Sequence, residues 1–454
     1  MRKTLQAHSI VNFWRSFTGG SGTRRILGAA LTVAVLASLV KLVTIAQELV
    51  VAYRFGISDT LDAFWIALLV PSLLTYVIGG SLNVALIPSF IQVREREGVE
   101  AAQQLLSEVT GWSIALLGII TLVIIAAAPF YLPWIASGFN PEKLALTSRL
   151  LYLIAPIVLL GGIANIWGAV LNAGERFALV ALAPIAAPAI SVLFLLLVPS
   201  WGIFALAAGM VCGGALEMTL LGAALKRRGF LLSPKWSGYG KHLRQVTNQF
   251  TPKMAGAFLR SGSSLVDQSM AAMLLAGSVA ALNYGYRVIG PLIGVAGLAL
   301  GTAVTPYFSK MVVSSEWKNL SHTFKRCLLL IFLFTVPAAA LIFIFSGAIV
   351  QFLFQRGSFG ARDTAVVAQI QSFYALQIPF YMANVLATRL ISALLTNYLL
   401  MWSAAIYLVT GITLNLLLIK PLGVAGIALS TSCASLINFA FLSYCLRRVL
   451  RERK

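Results

Sequence analysis

Acidic residues are scarce in this chain: 14 Asp and Glu stand against 34 Lys and Arg among 454 residues, and charged residues make up only 11%. An ordinary soluble domain carries about 25% charge, so there is too little polar surface here to clothe a water-soluble body of this length. Histidine is scarcer still. His8, His242 and His322 lie far apart in polar segments, which argues against a histidine-based metal centre or general base. Cys212, Cys327, Cys433 and Cys445 each fall in or at the end of an apolar run without metal-ligand spacing; they read as small packing residues. No glycine-rich loop leads into Lys-Ser or Lys-Thr, and no Asp-x-Asp pair is present. The expectation is a protein with no enzyme site, no metal and no resident cofactor.

What the chain does have is apolar length. Hydrophobic residues make up 59% of it, and the mean hydropathy is +0.89. Runs of roughly 20 apolar residues cross a hydrocarbon core of about 30 Å as helices. Lipid offers no partner to backbone N–H and C=O groups, so such runs must be helical. Twelve runs qualify, from Leu27–Tyr53 to Gly423–Cys445. The fold class is therefore an all-α polytopic membrane protein of about twelve spans. The second run (Leu61–Phe90) and the eighth (Val279–Phe308) are too long for one straight helix. Pro71, Gly79 and Gly80 in the one, and Pro291 and Gly301 in the other, are expected to bend or break them.

The basic residues are placed asymmetrically. With the N-terminus inside, the inner segments hold Arg24, Arg25, Arg94, Arg96, Lys226–Arg228, Lys310, Lys318, Lys325, Arg326 and Arg447–Arg448, among others. The outer segments hold only Arg54, Lys143, Arg149, Arg356, Arg362 and Lys420. This positive-inside bias accounts for the net charge of +20 without nucleic acid as a partner, and puts both termini on the cytoplasmic side. The organisation expected is a cytoplasmic tail (1–25), a first lobe of six spans (26–225), a basic linker (226–248), a second lobe of six spans (249–446) and a basic tail (447–454). Gln92–Thr110 reads as an amphipathic helix on the cytoplasmic face.

The halves look alike. The sixth and twelfth spans, GIFALAAGMVCGGALEMTLLGAALKRRG and GVAGIALSTSCASLINFAFLSYCLRRVL, both open on glycine and small residues and close on a basic pair. The second and eighth are both interrupted and both end in Pro-x-Phe. Interrupted helices at matching positions of two halves point to a transport pathway.

Charge inside a membrane costs roughly 2.5–3.5 kcal/mol per residue on insertion scales, so it faces a cavity or a partner. Lys41, Glu48, Asp62, Arg260, Asp267 and Arg287 are such residues, on spans one, two, seven and eight. Lys41, Arg260 and Arg287 around one volume would suit a phosphate or pyrophosphate. Glu48, Asp62 and Asp267 would orient or switch those cations. Structural pairing, Lys41 with Glu48 or Arg260 with Asp267, stays open beside that reading. Arg54 and Arg389 are read as snorkelling to an interface.

Four segments carry a resemblance. AYRFGISDTLDAFWIALLVPSLL (Ala52–Leu74), GAVLNAGERFALVALAPIAAP (Gly168–Pro188), ALNYGYRVIGPLIGVAGLALGTAVTPYFSK (Ala281–Lys310) and LFQRGSFGARDT (Leu353–Thr364) are similar to motifs of the MurJ/MviN family. That family belongs to the multidrug/oligosaccharidyl-lipid/polysaccharide exporter superfamily. The resemblance implies two pseudo-symmetric six-helix lobes and a flippase of the bacterial cytoplasmic membrane. Its substrate would be an undecaprenyl-pyrophosphate-linked glycan, lipid II or similar, moved to the outer leaflet by alternating access for peptidoglycan synthesis. An ion gradient or the membrane potential would drive it, and envelope-synthesis enzymes would be its protein partners. Lys41, Glu48, Asp62 and Arg287 match the family's charged positions. Gln47 and Tyr286 stand where the family commonly has an arginine and an acid, Leu74–Gly80 lacks its usual Arg pair and Glu, and its lipid II flippases have fourteen helices. Three other readings stay open: export of another lipid-linked oligosaccharide such as an exopolysaccharide repeat unit, drug or cation antiport, and a non-transporting envelope scaffold.

Overall fold

The structure is a computed structural model that describes residues 22–234, 240–396 and 398–452. The residues of the expected tails and linker that fall outside these ranges lie outside the described residues. Among the described residues the chain is helical, and no strand occurs. In chain order the helices are α1 (Gly22–Phe55), α2 (Asp59–Leu74), α3 (Gly80–Glu97), α4 (Val99–Ile135), α5 (Pro141–Ile154), α6 (Ile157–Ala173), α7 (Phe177–Leu182), α8 (Ala186–Leu197), α9 (Ile203–Lys226), α10 (Lys241–Ala272), α11 (Ser278–Arg287), α12 (Ile289–Val313), α13 (Trp317–Phe354), α14 (Ala361–Ala375), α15 (Ile378–Ala393), α16 (Tyr398–Leu422) and α17 (Val424–Glu452).

Ten stretches of helix among the described residues are long and apolar enough to cross a membrane. The seventh and tenth runs of the sequence account for the difference from twelve. The seventh forms the less apolar α10. The tenth divides into α14 and α15 at Leu376–Gln377, where Pro379 follows at the start of α15 and cannot continue the α14 hydrogen-bond ladder. The expected surface helix at Gln92–Thr110 is not separate either. The helix stops at Gly98, whose φ is +93°, and Val99–Ile135 then runs unbroken for 37 residues. No strong breaker stands between Val99 and the third span, and Leu105, Leu106 and Glu108 are buried.

The two interrupted spans differ in kind. Pro71 lies inside α2, and the interruption comes after it as a π-helical turn, Thr75–Gly79. Gly80 continues directly into α3. In the eighth span the helix breaks at Val288, between α11 and α12. Pro291 clashes with the carbonyl four residues back, and that residue is Arg287, the last of α11. Gly301 does not break α12, which is continuous through it.

Close packing divides the described chain into two compact units that do not follow the sequence halves. One comprises residues 1–50, 70–127 and 149–254; the other comprises 51–69, 128–148 and 255–454. In the first, α9 packs on α8 and α6, and α3 packs on α6. A Cβ on Gly209 would stand 2.5 Å from Ser191 Cα, so small residues let the two backbones touch, as expected of membrane helix pairs. In the second, α16 packs on α17, α13 on α14 and α12 on α15. Its core includes Phe308, Leu320, Leu386, Leu390, Leu442 and Leu446. The repeat has a backbone counterpart: Gly202 before α9 and Gly423 before α17 take φ of +53° and +58°.

Candidate functional site

The second compact unit holds a buried ionic node. Asp62, in the first turn of α2, is 1% exposed. Its Oδ2 accepts the backbone N–H of Gly277 at 2.7 Å, and its Oδ1 accepts that of Ala280 at 2.8 Å. These are among the unsatisfied donors at the start of α11, where the helix dipole also favours an anion. Lys143 Nζ donates to Asp62 Oδ2 at 2.8 Å and also bonds Asp59. The ammonium lies 4.0 Å from the centroid of the Phe139 ring. Three donors on one carboxylate are what makes a buried charge tolerable.

Local sequence builds the node. Asn140 Oδ1 accepts the Lys143 N–H at 2.8 Å, and Pro141 opens α5; this is the usual chemistry of a helix start. It fixes Lys143 on the first turn of α5. Gly277, at φ +84°, lets the chain turn into α11 with its N–H aimed at Asp62. A Cβ there would collide with Ile57.

A second junction lies in the same unit. Ser358 donates its backbone N–H to the Tyr53 carbonyl at 2.8 Å and its hydroxyl to the Arg54 carbonyl at 3.1 Å. Those are orphan acceptors at the end of α1. Gly56 and Gly357 both have positive φ, and a Cβ on either would strike the other strand of the junction, at Ser358 O and Tyr53 O.

Other sequence candidates are placed as follows. Arg287 stacks over the Trp65 ring, 4.7 Å from its centroid, within the second unit. Asp267 lies in the same unit, and Asn415 Nδ2 donates to its Oδ1 at 2.7 Å. The Thr431 hydroxyl is also within hydrogen-bonding reach of it, and Tyr374 and Tyr407 are near. Asn415 is fully buried, and its Oδ1 has no hydrogen-bond partner among the described residues. Lys41 is exposed and Glu48 half-buried on α1, in the first unit. Arg260 lies on α10, and its side chain is outside the described residues. Gly79, at the end of the π turn, faces Asn165, whose Nδ2 would stand 2.6 Å from an added Cβ; Gly80 faces open space.

Sequence reasoning missed Lys143. It stood among the connecting charges of the outer side, and nothing in its spacing links it to Asp62 across 81 residues. The available signal was Asn-Pro-Glu-Lys, a helix start that orders a lysine otherwise read as mobile.

Among the described residues no group of three His, Cys, Asp or Glu could hold a metal ion. A family model described as "Lipid II flippase MurJ" matches residues 51–453. The probable lipid II flippase MurJ of Buchnera aphidicola subsp. Baizongia pistaciae is 24% identical over 426 residues, covering 92% of this chain and 83% of that protein. The lipid II flippase MurJ of Burkholderia cenocepacia is 25% identical over 437 residues, with coverage of 92% and 83%. A solved lipid II flippase MurJ in an inward closed conformation superposes with a TM-score of 0.79 at 22% identity, over 92% of this chain and 87% of that one. An inward-facing multidrug resistance MATE family transporter of the MOP superfamily gives 0.73 at 12% identity, over 94% and 98%.

Proposed function

The chain belongs to the lipid II flippase MurJ family, and from that premise we propose that it carries an undecaprenyl-pyrophosphate-linked glycan precursor, lipid II or a close relative, from the inner to the outer leaflet of the cytoplasmic membrane. Both termini are on the cytoplasmic side in this reading, as the positive-inside bias supports.

The observation that carries the mechanism is the Asp62 node. It joins α2, α5 and the start of α11, elements far apart in sequence, through ionic and helix-terminal bonds rather than apolar packing. Such bonds have two discrete states, made or broken. Alternating access needs a closure of this kind. On the charge-bias reading the node lies on the outer side, and it holds that side shut while substrate enters from within. The junction of Ser358 with the end of α1 closes the same side.

A second observation supports a coupling ion. Asp267 meets neutral oxygen and nitrogen groups of α16 and α17, with the Asn415 Oδ1 left over as an acceptor. A carboxylate, an amide oxygen and a hydroxyl form a hard oxygen set suited to a small cation or a proton. Ion occupancy there would couple a gradient to movement of the second half.

The experiment is depletion of the protein followed by identification of the lipid-linked precursor that accumulates on the inner leaflet, paired with translocation of labelled lipid II in liposomes. Accumulation of lipid II and its movement by the pure protein are expected. Accumulation of a different lipid-linked glycan, with no movement of lipid II, would replace the substrate with that glycan.

A further inference from the structure

Arg389 does not do what its position near the end of a span suggests. It lies four residues from the end of α15, where a long basic side chain ordinarily reaches out to the interface. The rotation of α15 is set by Asn384, whose Nδ2 donates to the Ser435 carbonyl at 2.9 Å. Asn438 donates to Asn384 Oδ1 at 3.4 Å and accepts the Ser403 hydroxyl at 2.8 Å. That polar ladder turns Asn384 towards α17. Arg389, five residues on, is about 140° further round the helix and meets α12 instead.

There it lies on Gly301. A Cβ at Gly301 would be 2.6 Å from Arg389 Nε, 2.7 Å from a terminal nitrogen and 2.9 Å from Cζ. The three distances are nearly equal, so the guanidinium lies across the glycine as a plate. Gly301 is 313 − 301 = 12 residues before the end of α12, about 18 Å by helical rise. The charge therefore lies at membrane depth, not at the end of the helix. Arg389 is exposed, and among the described residues none of the ion pairs or hydrogen bonds involves it. A cation so placed requires water or an anion, and the planar fork of a guanidinium matches phosphate oxygens two at a time.

We propose that Arg389, seated on Gly301, binds the phosphate group of a lipid within the membrane-spanning part of the protein. The proposal rests on the flippase reading for the identity of that lipid, the diphosphate of the polyprenyl-linked substrate. The phosphate chemistry itself would serve a phospholipid headgroup equally.

The test measures binding of undecaprenyl pyrophosphate, undecaprenol and phosphatidylglycerol to the full-length protein in detergent, for wild type, Arg389→Gln and Arg389→Lys. Melting temperatures serve as the folding control. Wild type is expected to bind undecaprenyl pyrophosphate. Arg389→Gln is expected to bind it at least tenfold more weakly and with less sensitivity to salt, while undecaprenol binding is unchanged. Arg389→Lys, which keeps the charge and loses the fork, is expected to fall between. If the loss appears with phosphatidylglycerol and not with undecaprenyl pyrophosphate, the site is a phospholipid site: the phosphate role stands and the substrate assignment falls. Equal binding of all phosphate lipids by wild type and Arg389→Gln overturns the proposal and leaves the flippase reading untouched. A wild type that binds no polyprenyl pyrophosphate counts against that reading instead.

Discussion

The carboxylate of Asp62 lies 2.8 Å from the backbone nitrogen of Ala280, 218 residues further along the chain. One side chain of the second span thus completes the first turn of a helix in the second half. Because Lys143 shares the same carboxylate, the node has separable parts.

Lys143→Met removes the cation and leaves Asp62 buried with two amide donors. Truncating one partner of a buried pair costs roughly 3–5 kcal/mol, and the remaining amides should hold the loss to the lower end of that range. A fall in melting temperature is the expected readout. Asp62→Asn should cost a similar amount, since its amide NH2 must face a donor. The double variant should lose less than the sum of the two, because the groups act as one unit. Strict additivity would show that the two side chains do not depend on each other.

Gly357→Ala tests the junction at the end of α1. The residue has φ +59°, and an added Cβ meets the Tyr53 carbonyl. Strain of this kind costs of order 1–3 kcal/mol. Gly360→Ala is the control: its φ is −89° and nothing lies within 4 Å of the added carbon. The first variant should fail to support growth after depletion of the wild type, and the second should support it.

Asp267→Asn keeps the shape of the group and removes its charge. Liposomes carrying this variant should translocate lipid II at a rate independent of an imposed ion gradient, while wild type responds to the gradient. A gradient response that survives the substitution would place the coupling ion elsewhere.

Lys41→Ala and Arg287→Ala address the cationic site. Each is expected to reduce translocation at least tenfold. Trp65→Leu, which removes the ring under Arg287, should weaken it less, since a cation–π contact contributes about 0.5–2 kcal/mol. Full activity in both alanine variants would mean that neither cation handles substrate.

The spans were legible because length and apolarity alone decide whether a helix can cross lipid. The repeat was legible in Gly202 and Gly423, because a positive φ at a turn selects glycine wherever it occurs. The partner of Asp62 was not. Lysines in polar connections look alike until a helix start orders one of them, and the pairing depends on tertiary approach rather than spacing. Gly301 read as a breaker, yet it lies in continuous helix, because what demands glycine there is the guanidinium of another helix. Arg389 read as an interfacial residue for the converse reason: its distance from the helix end is local, but its direction is set by Asn384 and α17.

The π turn at Thr75–Gly79 has a consequence for length variation. Such a turn holds an extra residue relative to the α-helix around it. Losing one residue there would restore ordinary winding and rotate everything beyond Gly80 by about 100°. Asn83, which now donates to the Asn165 carbonyl at 3.2 Å, would point away from α6. A single-residue deletion in this stretch would therefore act as a change of face for α3, whereas the same deletion in a surface loop would only shorten it.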